Sequence, residues 1–342
     1  MKTGGKAVKI IVDGMGGDLA PQEVVKGSLE AAKEYGVKIV LTGDSYRLNQ
    51  ELNKLNAPKD IFEIIHTTEI ITMEDSPVKA IKSKKDSSMV KGLEMVRNNK
   101  DAVFVSAGNT GALLAGGLLK VGRIKGIDRP ALTSLLPFRK KSTLLLDMGA
   151  NTECKPLNLA QFAMMGTIYM ESVLGRKNPT VGLLNIGIEE TKGSELYKNA
   201  YQLISNMENV NFVGNIEARD VPEGVVDILV CDGFTGNIVL KYTEGLSYSL
   251  FAMLKDIMMK NTLNKLAAIA LKPSLKQFKK RMDYTEIGGA PLLGINGGII
   301  KAHGSSNAIA IKNAIRQGIN YIQNNILERI QSAVETSGKN LV

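Results

Sequence analysis

Repeatedly along the chain, an apolar, β-branched run ends in Gly, Asn, Asp or Thr and passes at once into a helix-forming run. Ala102-Val-Phe-Val105 leads into Ser106-Ala-Gly-Asn-Thr-Gly-Ala-Leu113, and Val8-Lys-Ile-Ile-Val12 leads into Asp13-Gly-Met-Gly-Gly-Asp18. Related stretches are Leu146-Asp-Met-Gly-Ala-Asn151, Leu184-Asn-Ile-Gly-Ile-Glu-Glu-Thr-Lys-Gly193, Cys231-Asp-Gly-Phe-Thr-Gly-Asn237, and Gly288-Gly-Ala-Pro-Leu-Leu-Gly294 with His303-Gly-Ser-Ser306. Strands alternating with helices predict an α/β fold, a mostly parallel sheet covered on both faces. With 44% hydrophobic residues and no repeat, low-complexity segment or linker, the 342 residues read as a single unit over 1–342.

The periodicity predicts a hairpin through Pro137-Phe-Arg-Lys-Lys141, a long helix from Thr235 to about Met259, and a break or kink at Pro273. Two short strands, near Ile287 and over Gly298–Ala302, then precede a final helix from Ser305 to about Thr336.

A strand, a tight glycine turn and a helix start point free N–H groups and a positive helix end at an anion. Ser106, Gly108, Asn109, Thr110 and Gly111 form such a turn without adding negative charge. An ordinary capped turn with Asn109 as N-cap is the plain alternative. The turn is not a nucleoside-triphosphate loop, because the Gly-Lys-Ser/Thr ending is missing. The turn at 13–18 is not a dinucleotide site either: its last glycine is missing, and Asp18 stands where a pyrophosphate would sit. Lys192, between a strand and a helix start, can neutralise an anion; beside Glu189 and Glu190 it can equally be a solvated lysine. His303 stands between a small-residue strand and a helix start, whereas His66 reads as a structural or surface histidine.

Composition removes whole classes of function. With no tryptophan and 5% aromatics, platforms for stacking nucleic-acid bases are not expected. Two cysteines and two histidines without ligand spacing argue against a disulfide framework or a metal site, and fit a reducing cytoplasm. Met1-Lys-Thr-Gly-Gly-Lys is not followed by a signal-like apolar core, and no run approaches the ~20 apolar residues that span a bilayer. The expectation is a soluble or at most peripheral protein.

Together the motifs resemble the PlsX family of bacterial phosphate acyltransferases (acyl-ACP:phosphate transacylases). The resemblance rests on Val12-Asp-Gly-Met-Gly-Gly-Asp-Leu-Ala-Pro21, Ser106-Ala-Gly-Asn-Thr-Gly-Ala112, Asp147-Met-Gly-Ala-Asn151, Asn185-Ile-Gly-x-Glu-x-x-Lys-Gly193, Cys231-Asp-Gly-Phe-Thr-Gly-Asn237, Gly289-Ala-Pro-Leu-Leu-Gly294 and His303-Gly-Ser-Ser306. It extends to His66-Thr-x-x-x-Ile-x-Met-x-Asp-x-Pro77 with Lys85-Asp-Ser-Ser-Met89; Gly14 departs, standing where the family usually has alanine. The resemblance implies a three-layer α/β/α fold of the isopropylmalate dehydrogenase type, a homodimer and no nucleotide cofactor. It also implies transfer of a long-chain acyl group from acyl-ACP to inorganic phosphate. A membrane glycerol-3-phosphate acyltransferase would then use the acyl phosphate for phospholipid synthesis.

That chemistry needs an anion cradle and an oxyanion donor rather than a strong base. On this reading Ser106, Gly108, Asn109, Thr110 and Gly111 hold phosphate, and Lys192 neutralises it or the oxyanion. Asn237 donates to the thioester oxygen, His303 protonates the leaving thiolate, and Asp13, Asp18, Asn151 and Asp232 orient these groups. The competing enzymes are a phosphate acetyltransferase-like protein using acyl-CoA and a decarboxylating dehydrogenase. From another class, charge alone allows a basic scaffold.

The net charge is +9, yet Leu250 to Met282 holds eight basic residues (Lys255, Lys260, Lys265, Lys272, Lys276, Lys279, Lys280, Arg281) and one acid, Asp256. Leu254, Ile257, Met258, Leu263 and Leu266 lie among them at helical spacing. A basic amphipathic hairpin over about 250–282 fits an anionic membrane surface at the inner face of the cell membrane, a dimer contact, or acidic ACP.

Overall fold

The computed structural model describes residues 8–282 and 288–337; Met1–Lys6 and Ile287 lie outside them. The first half runs β1 (Lys9–Asp13), α1 (Gln22–Tyr35), β2 (Ile39–Gly43), α2 (Ser45–Lys54), β3 (Phe62–His66), α3 (Pro77–Ser83), α4 (Ser88–Asn98), β4 (Ala102–Ser106) and α5 (Thr110–Gly116). The middle holds β5 (Ala131–Pro137), β6 (Ser142–Leu146), α6 (Pro156–Leu174), β7 (Thr180–Asn185), α7 (Glu195–Ser205), β8 (Asn211–Glu217) and β9 (Ile228–Val230). Then come α8 (Gly233–Met259), α9 (Thr262–Met282), β10 (Gly289–Leu293), β11 (Gly298–Ala302), α10 (Ala308–Gln323) and α11 (Ile326–Ser337).

One eleven-stranded sheet has the order β3-β2-β1-β4-β11-β10-β5-β6-β9-β7-β8. Within β3-β2-β1-β4-β11 and within β6-β9-β7-β8 the pairing is parallel. β10 is antiparallel to both neighbours, and β5 and β6 form the expected hairpin, Pro137 opposite Ser142. Through these reversals the carboxyl ends of the first five strands and of the last four leave opposite edges of the sheet.

Burial follows the strand period of two. On β4, Val103 and Val105 join Ile311 and Ile315 of α10 in one core. Phe104 faces the other way, against Met89 and Leu93 of α4 and Leu113 of α5. Truncating the fully buried Phe104 to alanine would cost about 3–5 kcal/mol. Gly14 packs so closely that a Cβ there would meet Leu48 Cδ2 at 2.7 Å, so alanine at this position needs Leu48 to shift.

Three expectations are corrected. The final helix is two helices, divided at Asn324-Asn325, where Asn325 takes φ 52°, a left-handed turn that asparagine tolerates. Of the break or kink expected at Pro273, the break does not occur: α9 continues through it, the ring removing one N–H donor on an exposed helix where water can satisfy the freed carbonyl. The strand placed near Ile287 is Gly289–Leu293.

α8 and α9 form the hairpin. Leu254 and Met258 are half-buried, while Ile257, Leu263 and Leu266 are exposed along with Met253, Met259 and Ile269. Phe251 and Phe278 join the helices, their rings 5.4 Å apart. The side chains of Lys279, Lys280 and Arg281 lie outside the described ones. Among the described residues no helix is long and apolar enough to cross a membrane.

Candidate active site

β4 lies between β1 and β11, all parallel, so three strand ends meet. Val12 is level with Val105, and Lys301 is level with Ser106. Asp13 is buried and accepts from the Ser106 hydroxyl at 2.7 Å and from Met15 N–H at 3.3 Å. Burial raises its pKa above the ordinary carboxylate value, with those hydrogen bonds opposing. The Ser106 oxygen also accepts from Gly108 N–H at 3.1 Å. Asp18 N–H donates to the Gly304 carbonyl at 2.8 Å and ties the first turn to the last. Gly17 makes that approach with φ +105°, where a Cβ would lie 2.9 Å from Ala107 Cβ.

Lys301 extends from β11 into this junction on the face shared with Ile299 and Phe104. Only 7% of it is exposed, and its ammonium donates to the Ala107 carbonyl at 3.4 Å and to the Ala302 carbonyl. Desolvation pulls its pKa down to about 8, with Asp13 and Asp18 opposing the shift and Lys241 adding to it.

A second cluster stands where β6 ends. The buried Asp147 carboxylate accepts from Leu132 N–H at 2.9 Å, Ala150 N–H at 3.1 Å, and from Asn151 through N–H at 2.7 Å and Nδ2 at 2.9 Å. Burial outweighs these bonds and pushes its pKa up to about 6. Asn151 also donates to the Pro130 carbonyl at 2.7 Å, and its own carbonyl accepts from Gly233 N–H at 2.7 Å. Asp232 caps α8, accepting from Thr235 N–H at 2.9 Å and Oγ1 at 2.8 Å and from the Tyr197 hydroxyl at 2.5 Å. A Cβ on Gly236 would lie 1.9 Å from the Asp147 carbonyl oxygen, so only glycine lets the first turn of α8 sit here.

Between α8 and the face of β5 and β10 lies a cavity of about 410 Å³. Its polar lining comes from Thr110, Asn237, Lys241, Glu244, Lys301 and His303. Its apolar lining comes from Leu132, Leu136, Phe138, Leu240, Tyr248 and Phe251. Three predicted residues, Thr110, Asn237 and His303, therefore reach one space.

Others do not line it. Ser106 lies beneath, its hydroxyl committed to Asp13, and Gly108 turns the chain above it. Gly111 packs its Cα side towards the Pro77 ring. The Asn109 amide donates to the carbonyls of Thr72 (3.1 Å), Met73 (3.1 Å) and Asp75 (3.3 Å), and its oxygen accepts from Ala112 N–H at 3.0 Å. The capped-turn alternative holds for this residue, and its side-chain donors are engaged by the protein. Lys192 is exposed on the loop after β7, a strand antiparallel to β1, β4 and β11. His303 pairs Nδ1 with Ser305 Oγ at 2.9 Å; desolvation, then Lys241, lower its pKa, so the ring is neutral at pH 7. His66 accepts from Ser45 N–H at 3.1 Å, a structural role.

Lys301 and Lys241 were not singled out in the sequence. Lys301 carried one signal, a lone charge inside the apolar run Gly298-Ile-Ile-Lys-Ala302. Among the described residues no group of His, Cys, Asp or Glu could hold a metal ion.

Comparisons with known proteins give the family and the fold. Residues 8–329 match the family described as fatty acid synthesis protein. A phosphate acyltransferase of Alkaliphilus oremlandii is 55% identical over 97% of this chain and 98% of that protein. A phosphate acyltransferase of Clostridioides difficile is 52% identical over 96% of each. A phosphotransacetylase from Streptococcus pyogenes shares the fold with TM-score 0.62 at 17% identity, over 94% of this chain and 95% of the other. A 4-hydroxythreonine-4-phosphate dehydrogenase from Klebsiella pneumoniae does so with TM-score 0.52 at 13% identity, over 94% of this chain and 100% of the other. The α/β layering with a mostly parallel sheet is thus shared with transacylases and a dehydrogenase, and the chain belongs to the fatty acid synthesis protein family, the PlsX phosphate acyltransferases that its strand-end motifs resemble.

Proposed function

We infer that this chain is a phosphate acyltransferase that moves a long-chain acyl group from acyl-ACP to inorganic phosphate. The observation that carries the reading is one cavity lined both by ammonium, amide and hydroxyl groups and by Leu132, Leu136, Phe138, Leu240 and Phe251. The polar set suits phosphate and a thioester carbonyl; the apolar set suits an acyl chain, each buried methylene contributing about 0.8 kcal/mol.

The reaction needs no covalent enzyme intermediate. A phosphate oxygen attacks the thioester carbon, the C–S bond breaks, and the proton given up by hydrogen phosphate balances the one taken by the thiolate. The leaving thiol, with a pKa of about 8.5 if it behaves like cysteine, needs little acid help. Asn237 is the donor for the thioester oxygen, a role for which one donor contributes about 3–4 kcal/mol in a comparable site. Neutral His303 offers a ring N–H or lone pair beside the leaving sulfur. Asp147, Asn151 and Asp232 hold Asn237 through α8.

The test is formation of acyl phosphate, trapped as the hydroxamate, from palmitoyl-ACP and phosphate, beside palmitoyl-CoA and acetyl-CoA. Turnover with palmitoyl-ACP is expected. Turnover with acetyl-CoA alone would favour the acetyltransferase reading, and no product from any donor would overturn both.

The same reading places the protein at the inner face of an anionic membrane. Ile257, Leu263 and Leu266 are exposed beside Lys255, Lys260 and Lys265, a pattern suited to peripheral binding and to handing a water-labile product to a membrane glycerol-3-phosphate acyltransferase. A homodimer, implied by family resemblance, belongs to this proposal. Flotation with phosphatidylglycerol vesicles tests it: Leu263→Glu with Leu266→Glu should abolish binding, and unchanged binding would overturn insertion by these side chains.

A further inference from the structure

We propose that Lys301 is the cation that binds inorganic phosphate, at the joined carboxyl ends of β1, β4 and β11. The inference rests on the phosphate acyltransferase reading and names the phosphate side of that cavity. Lys192, the lysine that the motifs single out, is exposed and does not line this cavity. Lys301 lines the cavity with Thr110, His303 and Gly304.

The surroundings of Lys301 suit an ammonium held ready for an anion. Two carbonyls, of Ala107 and Ala302, hold it in place. Neither cancels its charge, and among the described residues no carboxylate lies within ion-pair distance of it. Asp13, whose charge acts on it together with that of Asp18, gives a carboxylate oxygen to Ser106. A buried ammonium without a counter-ion is expensive, and an incoming phosphate would supply one. The charged and titratable groups around it are Asp13 of β1, Asp18 of the following turn, Lys241 and Glu244 of α8, and His303 after β11. Lys241 lines the same cavity, but its ammonium is already paired with Glu244 at 2.9 Å, which leaves Lys301, among the described residues, as the lining cation with no carboxylate partner. Free Lys301 titrates near pH 8, so it carries its proton at neutral pH and loses it in mild alkali.

The experiment is calorimetric titration of inorganic phosphate, with no acyl donor, into the full chain and into Lys301→Met and Lys192→Ala. Lys301→Met is expected to weaken phosphate binding by at least about tenfold, and Lys192→Ala by less than about twofold. For the wild type, affinity should fall up to about tenfold per pH unit above pH 8, where phosphate remains the dianion throughout. Wild-type affinity in a folded Lys301→Met protein would overturn the proposal. So would a wild-type affinity that is flat from pH 8 to 9.5, a measurement that stands even if the variant fails to fold. A Lys301-dependent phosphate site without acyl transfer would sink the enzyme reading instead.

Discussion

The Ser106 hydroxyl donates to the Asp13 carboxylate at 2.7 Å while accepting from Gly108 N–H at 3.1 Å. One oxygen therefore joins β1 to β4 and shapes the glycine turn above it. Ser106→Ala leaves a buried carboxylate and a buried N–H without this partner, a loss of roughly 1–3 kcal/mol. Urea denaturation should show the loss, and the KM for phosphate should rise while the KM for the acyl donor does not.

Asn109 is expected to act on stability before chemistry. Its amide binds three carbonyls of the 72–75 segment, and its oxygen caps α5. Asn109→Asp keeps the cap and loses the donors; Asn109→Ala loses both. Limited proteolysis within 72–75 should accelerate in both variants, and more in alanine, whose lost cap alone is worth about 1 kcal/mol.

Gly236→Ala forces a methyl against the Asp147 carbonyl, which is backbone and cannot swing away. The first turn of α8 must lift and carry Asn237 with it. We expect kcat to fall more than about tenfold, from Asn237 misplaced by about an ångström, with the acyl-donor KM less affected. A wild-type kcat in this variant would separate Asn237 from the chemistry.

Asp147 gives a pH signature. Its folded pKa, about 6, lies above the unfolded value near 3.8, so the folded state binds the extra proton. Its stabilising contribution is complete below pH 3.8 and is lost as pH rises through 6. Comparison of wild type with Asp147→Asn by urea denaturation between pH 4 and 7 should isolate a slope that the variant lacks, roughly 2–3 kcal/mol in all.

Much of this was legible in the chain. The strand-to-helix alternation, the β5–β6 hairpin and the long α8 follow from local periodicity and turn chemistry, which act over a few residues. The reversal of β10 and β5 does not, because strand direction is decided by tertiary pairing. Turns after oppositely running strands still meet, Thr110 after β4 and Asn237 after β9 in one cavity, while Lys192 and Asn109 stay outside its lining. Asn109 read as a donor because its acceptors lie 34 to 37 residues earlier in the chain. Lys301 was passed over because a lysine in a strand ordinarily faces water, and only the meeting of β1, β4 and β11 buries this one.

The antiparallel seam at β10 and β5 separates two tasks. Thr110, Lys301 and His303 enter the cavity from the β4 and β11 side, while most of the greasy lining comes from β5, its following turn and α8. On the proposed reading, substitutions along Leu240, Tyr248 and Phe251 would retune chain-length preference while leaving Thr110 and Lys301, across the seam, in place.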